Sequence, residues 1–139
     1  IVQQRTDGDI QTTNKLIDLL SSLAPKFKEH KYYAQVFQAL RIEVNKELEA
    51  LESFLGQAAD LLKPGGRLVV MSYHSLEDRI VKNFMKKGNV KGQLEKDFYG
   101  NPLKPLTEVT RKPVVPDELE QKENTRSRSA KLRIAEKNG

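Results

Sequence analysis

Cysteine is absent from the 139 residues, and histidine occurs only twice. Without cysteine there is no disulfide framework, no thiolate metal site and no cysteine nucleophile among these residues, and an intracellular, cytoplasmic setting is the simpler expectation. His30 and His74 stand far apart among scattered acids, a pattern with no metal-ligand spacing. His30, beside Lys31 in a charged link, reads as solvated. No apolar run approaches the roughly 20 residues of a membrane span, and Ile1 to Ile10 lacks the apolar core of a signal peptide, so no membrane partner is expected. The sequence starts at Ile1 rather than Met and enters a polar segment, which sets the expectation of a piece of a longer protein. A phosphate-cradling glycine loop is also missing. Gly65-Gly66 precedes a strand, whereas such a loop follows a strand and opens a helix.

What the chain has is basic charge, unevenly spread. Lys and Arg number 24 against 19 Asp and Glu, a net +5. Arg126, Arg128, Lys131 and Arg133 gather in the tail with no acid between them, and Lys82, Lys86, Lys87, Lys91 and Lys96 crowd the middle. Clusters of this kind favour a polyanionic partner through counterion release, and a solvated basic surface is the competing reading.

Periodicity orders the rest. Thr12 or Thr13 caps a short helix with Leu16, Leu19, Leu20 and Leu23 at helical spacing, ended by Pro25. Phe37, Leu40, Val44, Leu48, Leu51, Leu55, Ala58 and Leu62 then step by three or four, which predicts one long amphipathic helix from about Tyr33 to Leu62, with Gly56 as its weak point. Gln38, Arg41 and Asn45 form a polar seam displaced by roughly 80° from the apolar centre. Lys63-Pro64-Gly65-Gly66 reverses the chain into a strand, Arg67-Leu68-Val69-Val70-Met71. Its unbroken apolar run fits a strand covered on both faces, as in a parallel sheet. A second amphipathic helix is predicted over Leu76–Lys87, stopped by Gly88. A long loop to Pro105 follows, then strands at Leu106–Arg111 and Ser129–Ala135, the latter with Ala130, Leu132 and Ile134 inward and Lys131 and Arg133 outward. Pro116–Leu119 reads as a short capped helical turn. The Leu68 strand has no partner before it in the chain. Its open edge near Val69 predicts either an absent amino-terminal half or association of copies by exchange of elements.

The most informative stretch is Ser72-Tyr73-His74-Ser75-Leu76-Glu77-Asp78-Arg79. It lies on a strand-to-helix turn at the carboxyl edge of a strand, where open α/β sheets keep their chemistry. With Phe37-Gln38-Ala39-Leu40-Arg41-Ile42-Glu43-Val44-Asn45, Glu47-Leu48, Leu62-Lys63-Pro64-Gly65-Gly66 and Asn124-Thr125-Arg126-Ser127-Arg128-Ser129-Ala130-Lys131-Leu132-Arg133, it appears in the order and spacing of a known family. From Thr12 onward the chain resembles the carboxy-terminal half of the MraW/RsmH family, bacterial S-adenosylmethionine-dependent methyltransferases acting on cytosine N4 of small-subunit ribosomal RNA. Tyr73 stands where Phe is common, and Gly88 to Tyr99 resembles the family least.

That resemblance implies an α/β fold: the carboxy-terminal strands and long amphipathic helices of a partial class I methyltransferase, or Rossmann-like, sheet. A helical insertion for substrate recognition would end in residues 1–31, and residues 32–139 would complete the catalytic domain. The cofactor half, with its glycine loop and its acidic residue for the ribose, would lie upstream, so no residue here is assigned to S-adenosylmethionine and the piece alone is expected to be inactive. The implied partner is small-subunit ribosomal RNA or the assembling subunit. Methyl transfer to an exocyclic amine requires an aligned lone pair and a route for the proton, not a covalent intermediate, so lack of cysteine is compatible. Transfer to C5 would require a nucleophile from elsewhere. At the corner, His74 is assigned to the ring edge, Tyr73 to the ring face, and Glu77 or Asp78 to the amino group, with Ser72, Ser75 and Arg79 beside them. The alternative for His74, Glu77 and Asp78 is stabilisation of the turn and of the helix amino terminus. Arg126, Arg128, Lys131 and Arg133, with Asn124, are assigned to phosphates, and Gln38, Arg41 and Asn45 to RNA contact. Two other readings stay open: a non-catalytic RNA-binding module, and a class I methyltransferase with another acceptor.

Overall fold

The structure, a computed structural model, describes Val2 and residues 8–139, so the expectation for Ile1 to Ile10 falls mostly outside it. The chain divides into two compact units, residues 1–46 and 47–139. Among the described residues no helix is long and apolar enough to cross a membrane.

The first unit holds α1 (Thr13–Ser21) and α2 (Glu29–Asn45). The Thr12 hydroxyl accepts from Lys15 N–H at 3.2 Å and caps α1, as its position predicts. Leu16 and Leu20 are buried, while Leu23 is exposed. No side chain of α2 is buried.

The expected single helix from Tyr33 to Leu62 is two helices. Lys46 takes a left-handed conformation, φ 52° and ψ 37°, that ends α2, and α3 (Glu47–Leu61) starts at the next residue. An α-helix does not continue through a left-handed residue, and the periodicity survives only because the apolar spacing runs on across the break. Gly56, the expected weak point, lies inside α3.

The second unit is a three-stranded sheet with two helices on one face. Its strands are β1 (Arg67–Ser72), β2 (Leu106–Glu108) and β3 (Lys131–Lys137), in the order β1-β3-β2 with both pairings antiparallel. Gly65, at φ 79°, makes the turn into β1, and its N–H donates to Lys137 O at 3.0 Å, which anchors the turn to the end of β3. α3 and α4 (Ser75–Lys87) pack together and α4 lies on all three strands. The core joins Leu55 and Ala59 of α3, Val81, Phe84 and Met85 of α4, and Leu68, Leu106 and Ala135 of the sheet. Each large side chain buried there stabilises by about 1.5–3 kcal/mol.

Two expectations for the strands are corrected. Val69 and Met71 are about half exposed, so among the described residues the apolar run of β1 is covered on one face only, and its neighbour β3 is antiparallel. In β3 the facing is the reverse of the expected one. Arg133 and Ala135 are buried on the helix side, whereas Leu132 and Ile134 stand opposite Met71 and Val69 on the other face. The period of two is legible in sequence but its phase is not, because a one-residue slip exchanges the faces. β2 is also shorter than expected. Residues 125–129 form a 3-10 segment before β3, preceded by α5 (Glu118–Glu123).

Candidate functional site at the carboxyl end of the first strand

β1 delivers Ser72, Tyr73 and His74 directly into α4, as the strand-to-helix reading predicts. Ser72 is buried, its hydroxyl 3.4 Å from Lys131 O. His74 is the N-cap of α4: its Nδ1 accepts from Glu77 N–H at 3.4 Å. Glu77 reaches back, Oε2 accepting from Tyr73 N–H at 3.0 Å. This reciprocal arrangement is a variant of the capping box, with histidine in place of a hydroxyl residue. His74 Nε2 lies 3.1 Å from Glu77 Oε1 without the alignment of a hydrogen bond, so this buried nitrogen has no hydrogen-bond partner.

One turn further on, Asp78 faces the sheet. Its Oδ1 accepts from Arg133 Nε at 2.8 Å, and its Oδ2 lies 3.3 Å from Arg133 Nη2 and 3.4 Å from Lys131 Nζ. The Asp78 and Arg133 side chains are 12% and 9% exposed, so this is a buried, forked ion pair with a second cation at its edge. Burial pushes the Asp78 carboxyl up, and the hydrogen bonds and charges of Arg133 and Lys131 outweigh it, leaving the pKa below the ordinary 3.8.

Beside this corner lies a groove of about 230 Å³ between the end of β1, the start of β3 and the chain around α5. Met71, Leu132, Val114, Val115 and Pro116 give it apolar walls, and Tyr73, Glu120, Asn124 and Ser127 add polar groups. Tyr73 is half exposed. The space suits one planar ring and is smaller than the usual pocket for a drug-sized ligand. Of the corner, Tyr73 lines this groove, whereas His74, Glu77 and Asp78 do not.

Of the residues singled out in sequence, Tyr73 and Asn124 line that groove; Asn124 also caps the 3-10 segment, its Oδ1 accepting from Arg126 N–H at 3.2 Å. His74, Glu77 and Asp78 sit at the corner with the local partners just described. Ser75 and Arg79 are exposed on the first turns of α4, and Arg126 and Arg128 are exposed on the 3-10 segment. The expectation of outward-facing cations does not hold for Arg133, whose guanidinium is held in the interior by Asp78, or for Lys131, which lies on the same face of β3 and reaches the same carboxylate from its edge. Gln38 is half-buried and Arg41 and Asn45 are exposed on α2, in the other unit. Sequence reasoning missed Val114, Pro116 and Glu120. Only a capped turn was legible there, and nothing in the local pattern shows that this turn borders the end of β1.

The turn into α4 does not suit the donor pocket of a nucleotide-like cofactor. It contains no glycine, and its helix amino terminus is already occupied by His74 and Glu77.

Over residues 1–138 the sequence matches the MraW methylase family. The chain belongs to that family. Proteins named ribosomal RNA small subunit methyltransferase H from Amoebophilus asiaticus, Cytophaga hutchinsonii and Bacteroides thetaiotaomicron are each 56% identical to this MraW-family chain over 137 residues. The match covers 99% of this chain and 44%, 46% and 45% of those proteins. The chain thus spans a little under half the length of the curated relatives it matches.

Replacing His74 by alanine is expected to destabilise the second unit by about 1 kcal/mol, the usual effect of removing a side-chain cap. His74→Asn, which keeps a capping acceptor, should stay near the wild type. Urea unfolding of the three proteins checks this, and equal midpoints would remove the capping role.

Proposed function

We propose that this chain is the acceptor-side part of an S-adenosylmethionine-dependent methyltransferase that modifies a cytidine N4 in small-subunit ribosomal RNA. The observation that carries the reading is the ring-sized groove beside Tyr73 at the carboxyl end of β1, in a chain of the MraW methylase family. The relatives named ribosomal RNA small subunit methyltransferase H support the substrate class.

On this reading the three-stranded sheet is one side of a larger Rossmann-like sheet, and the donor pocket comes from protein outside this sequence. S-adenosylmethionine supplies an electrophilic methyl group when bound there. Tyr73 stacks on the cytosine against the walls of Met71 and Val114. Glu120 accepts from the exocyclic amine and thereby favours cytosine over uracil, which has a carbonyl at that position. With Nδ1 accepting from Glu77 N–H, the ring proton of His74 sits on Nε2, which has no hydrogen-bond partner and is the donor assigned to the base edge. Asp78 acts as a positioning residue through Arg133. Arg126 and Arg128, with Arg79, contact phosphates without reading sequence. Gln38, Arg41 and Asn45 are assigned to RNA contact, and residues 1–31 to the tail of a substrate-recognition insertion. That assignment concerns descent within the family's architecture, whereas the division at Lys46 is one of packing. For the isolated chain, the open edge of β1 favours association of copies.

Titration of S-adenosylmethionine into the full-length protein, with radiolabelled methylation of assembling small subunits, tests the reading. Cofactor binding, with label on a cytidine N4, is expected. A full-length protein that neither binds cofactor nor labels RNA would return it to a non-catalytic RNA-binding module.

A further inference from the structure

The segment between α4 and β2, where the resemblance to the family is weakest, is an ordered hairpin rather than the plain loop its composition suggests. Leu103 N–H donates to Glu95 O at 2.8 Å, Asp97 N–H to Asn101 O at 2.9 Å, and Lys96 bridges Pro102 across the strand pair. At the tip, Asp97 organises the turn. Its Oδ1 accepts from Tyr99 N–H and Asn101 N–H, both at 2.8 Å, and its Oδ2 accepts from Asn101 Nδ2 at 2.9 Å. Hydrogen bonds from the Asn101 side chain and backbone, with that from Tyr99, hold this carboxyl below the ordinary range, so it stays an acceptor at neutral pH. The base of the hairpin packs against the end of α4: Gly88, at φ 86°, approaches so closely that a Cβ would lie 2.8 Å from Leu103 O.

This built turn displays two aromatic rings that support nothing in the fold. Phe98 is 97% exposed and Tyr99 is 86% exposed, and their rings meet edge to face with centroids 5.6 Å apart. Large apolar side chains on a turn fixed by its own hydrogen bonds contribute little to stability and bind with little ordering entropy, which makes them suited to a partner. The surrounding charge indicates which one. Lys86, Lys87, Lys91, Lys96 and Lys104 flank the rings along the chain, against Glu95 and Asp97, and Asp97 is committed to the turn. Aromatic faces among lysines match single-stranded nucleic acid, whose bases stack while its phosphates pair with cations.

We propose that the Phe98–Tyr99 tip is a stacking platform for unpaired bases of the RNA substrate, distinct from the groove beside Tyr73. The inference rests on the RNA-methyltransferase reading in taking RNA as the partner. The test measures binding of the full-length protein to a short, labelled, uridine-rich single-stranded oligoribonucleotide by fluorescence anisotropy at fixed salt. The double substitution Phe98→Ser with Tyr99→Ser is expected to weaken binding about ten- to hundred-fold. Affinity for S-adenosylmethionine and the melting temperature should hold, because the rings are exposed. Phe98→Trp with Tyr99→Trp should restore RNA affinity, since any large ring face stacks. Unchanged affinity in the serine variant overturns the platform, also where that variant instead loses a ribosomal protein partner. If such a variant binds RNA normally while the wild type methylates ribosomal RNA, this inference falls and the enzyme reading stands. A wild type that methylates ribosomal RNA but does not bind the oligoribonucleotide overturns the platform alone.

Discussion

Arg133→Ala is expected to destabilise the second unit by about 3–5 kcal/mol, the range for breaking a buried ion pair by removing one partner. The alanine leaves Asp78 buried at 12% exposure, with only Lys131, 3.4 Å away, to balance it. Removing both members, as Asp78→Leu with Arg133→Met, should cost much less, because no uncompensated charge remains. The pH dependence has a definite sign. The folded pKa of Asp78 lies below its unfolded value, so the stabilisation is fully present above about pH 4 and is lost as pH falls through the lower folded value. Arg133→Ala should flatten this acid limb. Urea midpoints measured across acidic pH, with slopes held comparable, decide the matter. A loss below about 1 kcal/mol for Arg133→Ala would show that the pair contributes no more than an exposed ion pair.

The second large effect is expected at Tyr73. In the full-length protein, Tyr73→Ala should lower kcat/KM for RNA methylation about ten- to hundred-fold, the order associated with losing one base-stacking partner. Tyr73→Phe should retain most of the activity, because on the proposed reading the ring face rather than the hydroxyl meets the base. Affinity for S-adenosylmethionine should not change in either variant. Tyr73 is half exposed, so loss of fold is not the expected route to inactivity. Steady-state kinetics with assembling subunits check this, and a Tyr73→Ala enzyme with wild-type kcat/KM would move the acceptor base away from the groove.

The legibility of the site varied with how local its determinants are. The α4 cap lies within four residues, from His74 to Glu77, and was readable as either a functional corner or a helix start; its hydrogen bonds show the helix start in place. The Asp78–Arg133 pair joins residues 55 apart in sequence, and nothing near either one marks the other. Alternation in β3 is visible in the sequence and points its apolar positions inward; the structure reverses this, with Asp78 compensating the buried Arg133. The break at Lys46 had no glycine or proline to announce it. The Asp97 turn was hidden in a segment read as loop, since hydrogen bonds made by one aspartate leave no periodic trace.

From sequence alone come the α/β class, the strand-to-helix corner, the turn at Gly65 and the family, because each rests on near neighbours or on motifs in order. Tertiary structure alone decided which face of β3 is inside, that Arg133 serves the interior, and that the chain around Pro116 and Glu120 walls a groove at the end of β1. Those outcomes depend on the register between strands distant in sequence, and register is selected by the sum of packing and charge compensation across the whole sheet.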